Sequence, residues 1–118
     1  MLAGHSHKEC RINAEDPEKF TPSPGTISKY SPREDLAFEW TLRWSGSVVV
    51  PYYDSMIAKL ITHGRDRQES MARMRRALGE FVIDGIKTTI PLHRRILDDP
   101  DFQKGHVSTT FLEHFLAR

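Results

Sequence analysis

Between Leu36 and Trp44 the apolar residues Leu36, Phe38, Trp40, Leu42 and Trp44 alternate with the polar residues Glu39, Thr41 and Arg43. A period of two puts one face in a core and the other in solvent, so the run is expected to be a half-buried strand. Ser45-Gly46-Ser47 turns it into a valine run, and "YYDSMIAKLITHG" reads as a further strand up to Gly64, together an antiparallel meander. Ahead of it, "ECRIN" is a short strand that ends near Ala14. Asp16 suits the cap of a helical turn with Pro17 at its first position, where a missing N–H costs nothing. The prolines of "TPSPG" fix φ, its glycine is free to take positive φ, and the chain has reversed by Thr26.

Past Gly64 the period changes. Asp66 with Glu69 three residues on makes a capping box, and Met71, Met74, Leu78 and Phe81 recur at helical spacing, which predicts a helix from about Arg67 to Phe81. Arg73, Arg75 and Arg76 fall on its other faces as a solvated surface, with Glu69 and Glu80 as partners. Asp84-Gly85 turns the chain, and "TTIPLHRRILDD" predicts a second helix ending at Asp98 to Pro100. A last helix is expected in "STTFLEHFL", capped by Ser108 or Thr109, with Phe111, Leu112, Phe115 and Leu116 as its buried stripe. Strands first and helices afterwards predict an α+β domain, an antiparallel sheet followed by helices.

The length, 118 residues, allows one hydrophobic core and one domain. With 17 basic and 16 acidic side chains the net charge is +1, so no global field draws the chain to nucleic acid or an anionic membrane. No apolar run approaches the roughly 20 residues of a membrane span. Cys10 is the single cysteine, which excludes an intrachain disulfide and fits a reducing, cytoplasmic setting; it reads as a small buried hydrophobe rather than a nucleophile. His5 and His7 would share one strand face, but no carboxylate or cysteine at recognisable spacing completes a metal set, and no metal site is expected. The chain has no phosphate-cradling glycine loop, paired CxxC, HExxH or Gly-x-Ser-x-Gly elbow. Pattern alone stops at a soluble α+β domain. Within it Arg11, set in a short strand, has two readings: a structural ion pair with Glu9 or Glu15, or a charge aimed at a substrate.

Three blocks carry the reading further. "ECRINAEDP" with "PSPGTI" behind it, "PYYDSMIAKLITHGRDR", and "ARMRRAL" followed by "DGIKTTIPLHRRILDDPDF" and "FLE" resemble, in order and spacing, the C-terminal domain of biotin carboxylase. That is the ATP-grasp component of acetyl-CoA carboxylase and of the propionyl-CoA, methylcrotonyl-CoA, pyruvate and urea carboxylases. The resemblance covers Glu9 to Leu116, so residues 9–118 are expected to be this domain and 1–8 a terminal segment or fragment boundary.

The resemblance implies a two-step reaction in the full enzyme. ATP, with Mg or Mn, phosphorylates bicarbonate, and the CO₂ derived from it passes to the ureido nitrogen of biotin held on a lysine of the biotin carboxyl carrier protein. In the family the motif arginine, here Arg11, is the catalytic residue that faces the biotin oxygen as it becomes enolate-like. An arginine suits the task because it stays protonated and its rigid fork of donors can be aimed in advance. The resemblance further places Thr109, with Ser108 beside it, at the adenine edge of ATP. It gives Tyr53, Asp54 and Lys59 a supporting role in the sheet beneath the site.

The chain also departs from the family. "GHSHKEC" has one residue more than the family's motif, and Lys8 replaces an apolar residue. "SPREDLAFEW" replaces a glycine-rich loop, and the arginine expected near its end appears as Glu39 or Phe38. That region forms much of the homodimer interface in bacterial members, so Phe38, Glu39, Trp40 and Trp44 are the expected interface residues of a homodimer, and the departure puts the usual dimer in question. In the family the nucleotide-binding lobe, the magnesium-binding glutamates, the base and the bicarbonate-binding arginine all precede this domain. The chain is therefore expected to be inactive alone, to bind neither biotin nor ATP tightly, and to partner the remaining ATP-grasp domains and the carrier. The competing expectation is a non-catalytic module that keeps the fold and binds a carboxylase partner, or itself, through the Trp40 and Trp44 face. Nucleic-acid binding through Arg73 to Arg76 and Arg94–Arg95 lacks both net charge and a known module.

Overall fold

Cys10 and Ile12 bury their side chains while Glu9 and Arg11 stay exposed, the alternation of the first strand, β1 (Ser6–Asn13). The computed structural model describes residues 6–31, 38–41, 46, 48–49, 56–105, 108 and 110–117. Asp16 Oδ1 accepts from the N–H groups of Glu18 and Lys19, at 2.9 and 3.0 Å, and so closes the turn expected after the strand. Short strands follow: β2 (Gly25–Thr26), β3 (Lys29–Ser31), β4 (Phe38–Thr41) and β5 (Val48–Val49), then the long β6 (Met56–Gly64).

The architecture is the expected one of antiparallel strands followed by helices, and β6 is the centre of its main sheet, with β1 on one side and β4 on the other. The pairing is not that of successive hairpins, because β5 pairs with β2 rather than with β4. Val49 is buried in the same core as Ile27, and Gly46 N–H donates to the Ile27 carbonyl at 2.7 Å. Burial thus draws the valine run away from its sequence neighbour. The imperfect alternation of β6 also has a cause. Ile12 faces Ala58 but Asn13 faces Met56, so Ile57 is the extra residue of a bulge, and Ile57 and Ala58 are both buried.

Helix α1 (Arg67–Glu80) starts where the cap signals place it, with Asp66 accepting from Glu69 N–H at 2.8 Å. The reciprocal half of the expected box is displaced, because Glu69 Oε1 accepts from Arg65 N–H, one residue before the cap. Met71, Met74, Ala77 and Leu78 lie against β6 and β1. Of these, Met71, Met74 and Leu78 each contribute about 1.5–3 kcal/mol on removal from water. Arg73 and Arg76 pair with Glu69 and Glu80 as expected. Arg75 instead reaches across to Asp98 at 3.2 Å and to the Leu97 carbonyl at 3.2 Å.

The segment expected only to turn at Asp84-Gly85 begins with a strand, β7 (Val82–Asp84), paired with β3. Gly85 does turn the chain, at φ +101°, and a Cβ there would meet the Thr26 carbonyl and the Ser28 amide. Helix α2 (Ile90–Asp98) ends as predicted. A further one-turn helix, α3 (Pro100–Gln103), was not expected: Asp99 and Pro100, read as a stop, are its cap and first residue. The final helix, α4 (Phe111–Leu116), departs from expectation in two ways. Its cap position is Thr110, without a side-chain cap bond, rather than Ser108 or Thr109. Of the expected stripe Phe115 is buried and Phe111 half-buried, stacked at 5.8 Å, whereas Leu112 and Leu116 are exposed, because this short helix meets the domain along one edge only.

Candidate functional site

The outward face of the β1–β6 pair carries most of the charge near Arg11. Alternation sends His7, Glu9 and Arg11 of β1 to that face, and the register sets them opposite His63, Ile61 and Lys59 of β6. Arg11 Nε lies 3.4 Å from Glu9 Oε2, with the arginine side chain 64% exposed. The other oxygen of Glu9 is 3.9 Å from Lys59 Nζ, whose side chain is 20% exposed. One carboxylate therefore lies against two cations. The ion pair foreseen for Arg11 forms, with Glu9, and it is an exposed contact that occupies only the Nε of the guanidinium among the described residues. Lys59, given a supporting role in the sheet beneath the site, lies in β6 and shares the outward face with Arg11, because residues directly opposed across a ladder point the same way. Trp40 is the next register position in that row, opposite Lys59 from β4.

The strand is fixed from the far end of the sequence. The Arg11 carbonyl accepts from His93 Nε2 at 2.7 Å and from Thr89 Oγ1 at 3.5 Å. Asn13 N–H donates to Thr89 Oγ1 at 3.0 Å, and Thr89 N–H returns a bond to the Asn13 carbonyl at 3.1 Å. Thr89 sits at the N-cap of α2, yet its hydroxyl serves β1 rather than the helix. Burial holds the His93 imidazole below the usual histidine range, against the opposing pull of the Arg11 carbonyl. A neutral ring bonded to a carbonyl carries its proton on Nε2. Glu9 thus balances the charge of Arg11, while Thr89 and His93 hold the strand that carries it. Glu9 was legible two residues away on the same face; Thr89 and His93 lie on another element and had no local signal.

The remaining expectations fall differently. Ser108 is exposed; its Oγ lies 3.0 Å from Thr110 Oγ1, its carbonyl accepts from Phe111 N–H, and among the described residues its hydrogen bonds stay within its own segment. Thr109, Tyr53, Asp54 and Trp44 lie outside the described residues. Phe38, Glu39 and Trp40 are in β4, an outer strand of the sheet as described, with Glu39 opposite Leu60. Cys10 is buried on the core face, and burial pushes its thiol up to about 12, so it is no nucleophile at neutral pH. Lys8, the departure from an apolar residue, extends beneath the sheet with Nζ 5.6 Å from the Phe102 ring centroid. Arg67 lies over the same ring at 5.0 Å and donates to the Phe102 carbonyl at 2.6 Å. Burial and then Arg67 lower the Lys8 ammonium below the usual lysine range.

An exposed, permanently charged guanidinium on a strand fixed at its carbonyls can donate to an anionic or polar oxygen of a ligand. Residues 9–114 match the family model of the biotin carboxylase C-terminal domain, and the chain belongs to that family. It is 51% identical over 117 residues to biotin carboxylase of Haemophilus influenzae, covering 98% of this chain and 26% of that protein. It is 52% identical over 109 residues to biotin carboxylase 1 of Bacillus subtilis, covering 91% and 24%. Among solved structures it superimposes with TM-score 0.87 and 45% identity on the biotin carboxylase domain dimer of the Hydrogenobacter thermophilus 2-oxoglutarate carboxylase, a complex with MgADP, ADP and bicarbonate. That match covers 92% of this chain and 24% of the other. The chain thus spans about a quarter of the length of the relatives it matches.

Proposed function

We propose that this domain supplies one wall of a biotin carboxylase active site, with Arg11 as the charge that faces the biotin oxygen. The single observation that carries the reading is the Arg11 guanidinium, exposed on the outward face of a strand whose carbonyl is held by His93. Carrier-bound biotin would supply the ureido nitrogen that accepts the carboxyl group, and ATP with Mg or Mn and bicarbonate the activated carboxyl. Arg11 fits biotin by charge and access: only its Nε is engaged, so the rest of its donor fork is open to a ligand oxygen among the described residues. Glu9 restrains that fork and balances Lys59, and removal of one donor of this kind costs on the order of 3 kcal/mol in a transition state. Ser108 and Thr109 are assigned to the adenine edge, and Tyr53, Asp54 and Lys59 to support of the site.

In this reading catalysis requires the remaining ATP-grasp domains, and the carrier protein docks where Arg11 is exposed. The test is an intact carboxylase that bears this domain, compared with its Arg11→Ala variant. Loss of biotin carboxylation by 100-fold or more, with bicarbonate-dependent ATP cleavage retained, supports the assignment; equal carboxylation removes it. For self-association, Phe38, Glu39, Trp40 and Trp44 are the proposed contact, since β4 is an outer strand of the described sheet. Light scattering of the chain against a Trp40→Lys variant checks it, and a wild-type chain that stays monomeric overturns it.

A further inference from the structure

His7 and His63 are directly opposed in the antiparallel register of β1 and β6, both exposed, with ring centroids 4.2 Å apart in an edge-to-face arrangement. The sequence separates them by most of β1 through β6, so only the fold makes them neighbours. We propose that these two imidazoles form a cross-strand site for a divalent transition metal.

The geometry suits chelation. Opposed residues of an antiparallel pair hold their Cβ atoms about 4.5–5.5 Å apart. Two imidazole nitrogens on one ion, each at about 2.0–2.1 Å, must come within roughly 3 Å of one another. Rings already in contact need only small side-chain rotations to reach that, and the ladder has fixed the backbone beforehand, so little ordering entropy opposes binding. Among the described residues no group of three or more ligating side chains assembles, so water completes the coordination and the site is open.

That donor set selects the metal. Imidazole favours copper, nickel and zinc over magnesium and calcium, and the series rises through nickel to copper. The surrounding charges are largely balanced. Glu9 is the next residue on the same face of β1 and faces Arg11 and Lys59. From α1, Arg73 donates to the His63 carbonyl at 2.6 Å but also pairs with Glu69 at 3.4 Å, and Arg65 pairs with Glu69 at 2.8 Å.

Titration of the chain with nickel(II) chloride at pH 7.5, followed calorimetrically, tests the site. One equivalent should bind the wild-type chain, and His7→Gln and His63→Gln should each weaken binding at least tenfold, while His114→Gln, on α4, leaves it unchanged. Nickel should raise the melting temperature of the wild-type chain and not of the two variants, since only a state with the site formed gains from the ligand. Equal affinity in either variant, loss of binding in His114→Gln, or no nickel binding by the wild-type chain overturns the proposal. Both histidines are exposed, and unchanged circular dichroism of the variants without nickel separates loss of the site from loss of the fold.

Discussion

His93 Nε2 donates to the backbone carbonyl of Arg11 at 2.7 Å, a bond that joins α2 to the strand bearing the exposed guanidinium. Position in sequence separates the two residues widely, yet the backbone that carries one is held by the ring of the other. The half-buried imidazole is held below the usual histidine range by desolvation, so the folded state resists its protonation while the unfolded chain does not. The unfolded state therefore binds more protons below about pH 6.5, and stability contributed by neutral His93 is lost as pH falls from there. Between pH 7 and 5, denaturant unfolding should show a decline in stability that His93→Gln, which keeps a donor but does not titrate, makes shallower. Identical slopes for the two proteins would remove His93 as the source.

Arg11 and Glu9 form an exposed pair, and such pairs contribute only about 0–1 kcal/mol. Arg11→Ala should therefore leave the unfolding free energy of the chain within about 0.5 kcal/mol of wild type. A structural arginine would behave otherwise: a loss above 2 kcal/mol in urea unfolding would make the ion pair, rather than a ligand, the reason for this residue. Glu9→Gln should weaken the restraint on Lys59 as well, since the same carboxylate serves both.

Close approach between β6 and α1 depends on Gly64. A Cβ there would lie 2.5 Å from the Ser70 amide nitrogen, a backbone atom that cannot swing aside. The same junction holds a buried bond in which Thr62 Oγ1 donates to the Ser70 carbonyl at 2.8 Å. Gly64→Ala should cost at least about 2 kcal/mol by forcing strand and helix apart, within the range typical of core overpacking. Thr62→Val should cost about 1 kcal/mol through the loss of this buried bond. Thermal unfolding of both variants checks the order, and a Gly64→Ala protein as stable as wild type would mean the helix can shift freely.

How much of this was legible in the sequence depends on the range of the interaction concerned. Helix α1 was, because Asp66, Glu69 and the spacing of Met71, Met74 and Leu78 act within a few residues of one another. The helix α3 was missed because Asp99-Pro100 both ends one helix and starts the next, and a one-turn element has no periodicity to detect. Strand order was not legible, because nothing near Val48–Val49 announces β2 as its partner. Arg11 emerged from a family motif, whereas Lys59 and His93 join it only across the ladder and the β1–α2 contact. Leu112 and Leu116 were misassigned because a helical stripe predicts a face, not what covers it.

Cys10 offers a direct probe of the core that Arg11 stands upon. Its side chain lies opposite Leu60 on the buried face, and desolvation pushes the thiol up to about 12, with Glu9 adding to the effect and Lys8 opposing it. At pH 8 the folded protein should hold almost no thiolate, so a disulfide reagent must wait for the strand to open. Native labelling should then be slower than labelling in 6 M guanidinium by two orders of magnitude or more. Gly64→Ala, by loosening the helix over the sheet, should raise the native rate, while Arg11→Ala, on the opposite face, should not. Fast labelling of the wild-type protein would mean that β1 is not held in the sheet, and with it would go the claim that the strand carrying Arg11 is fixed.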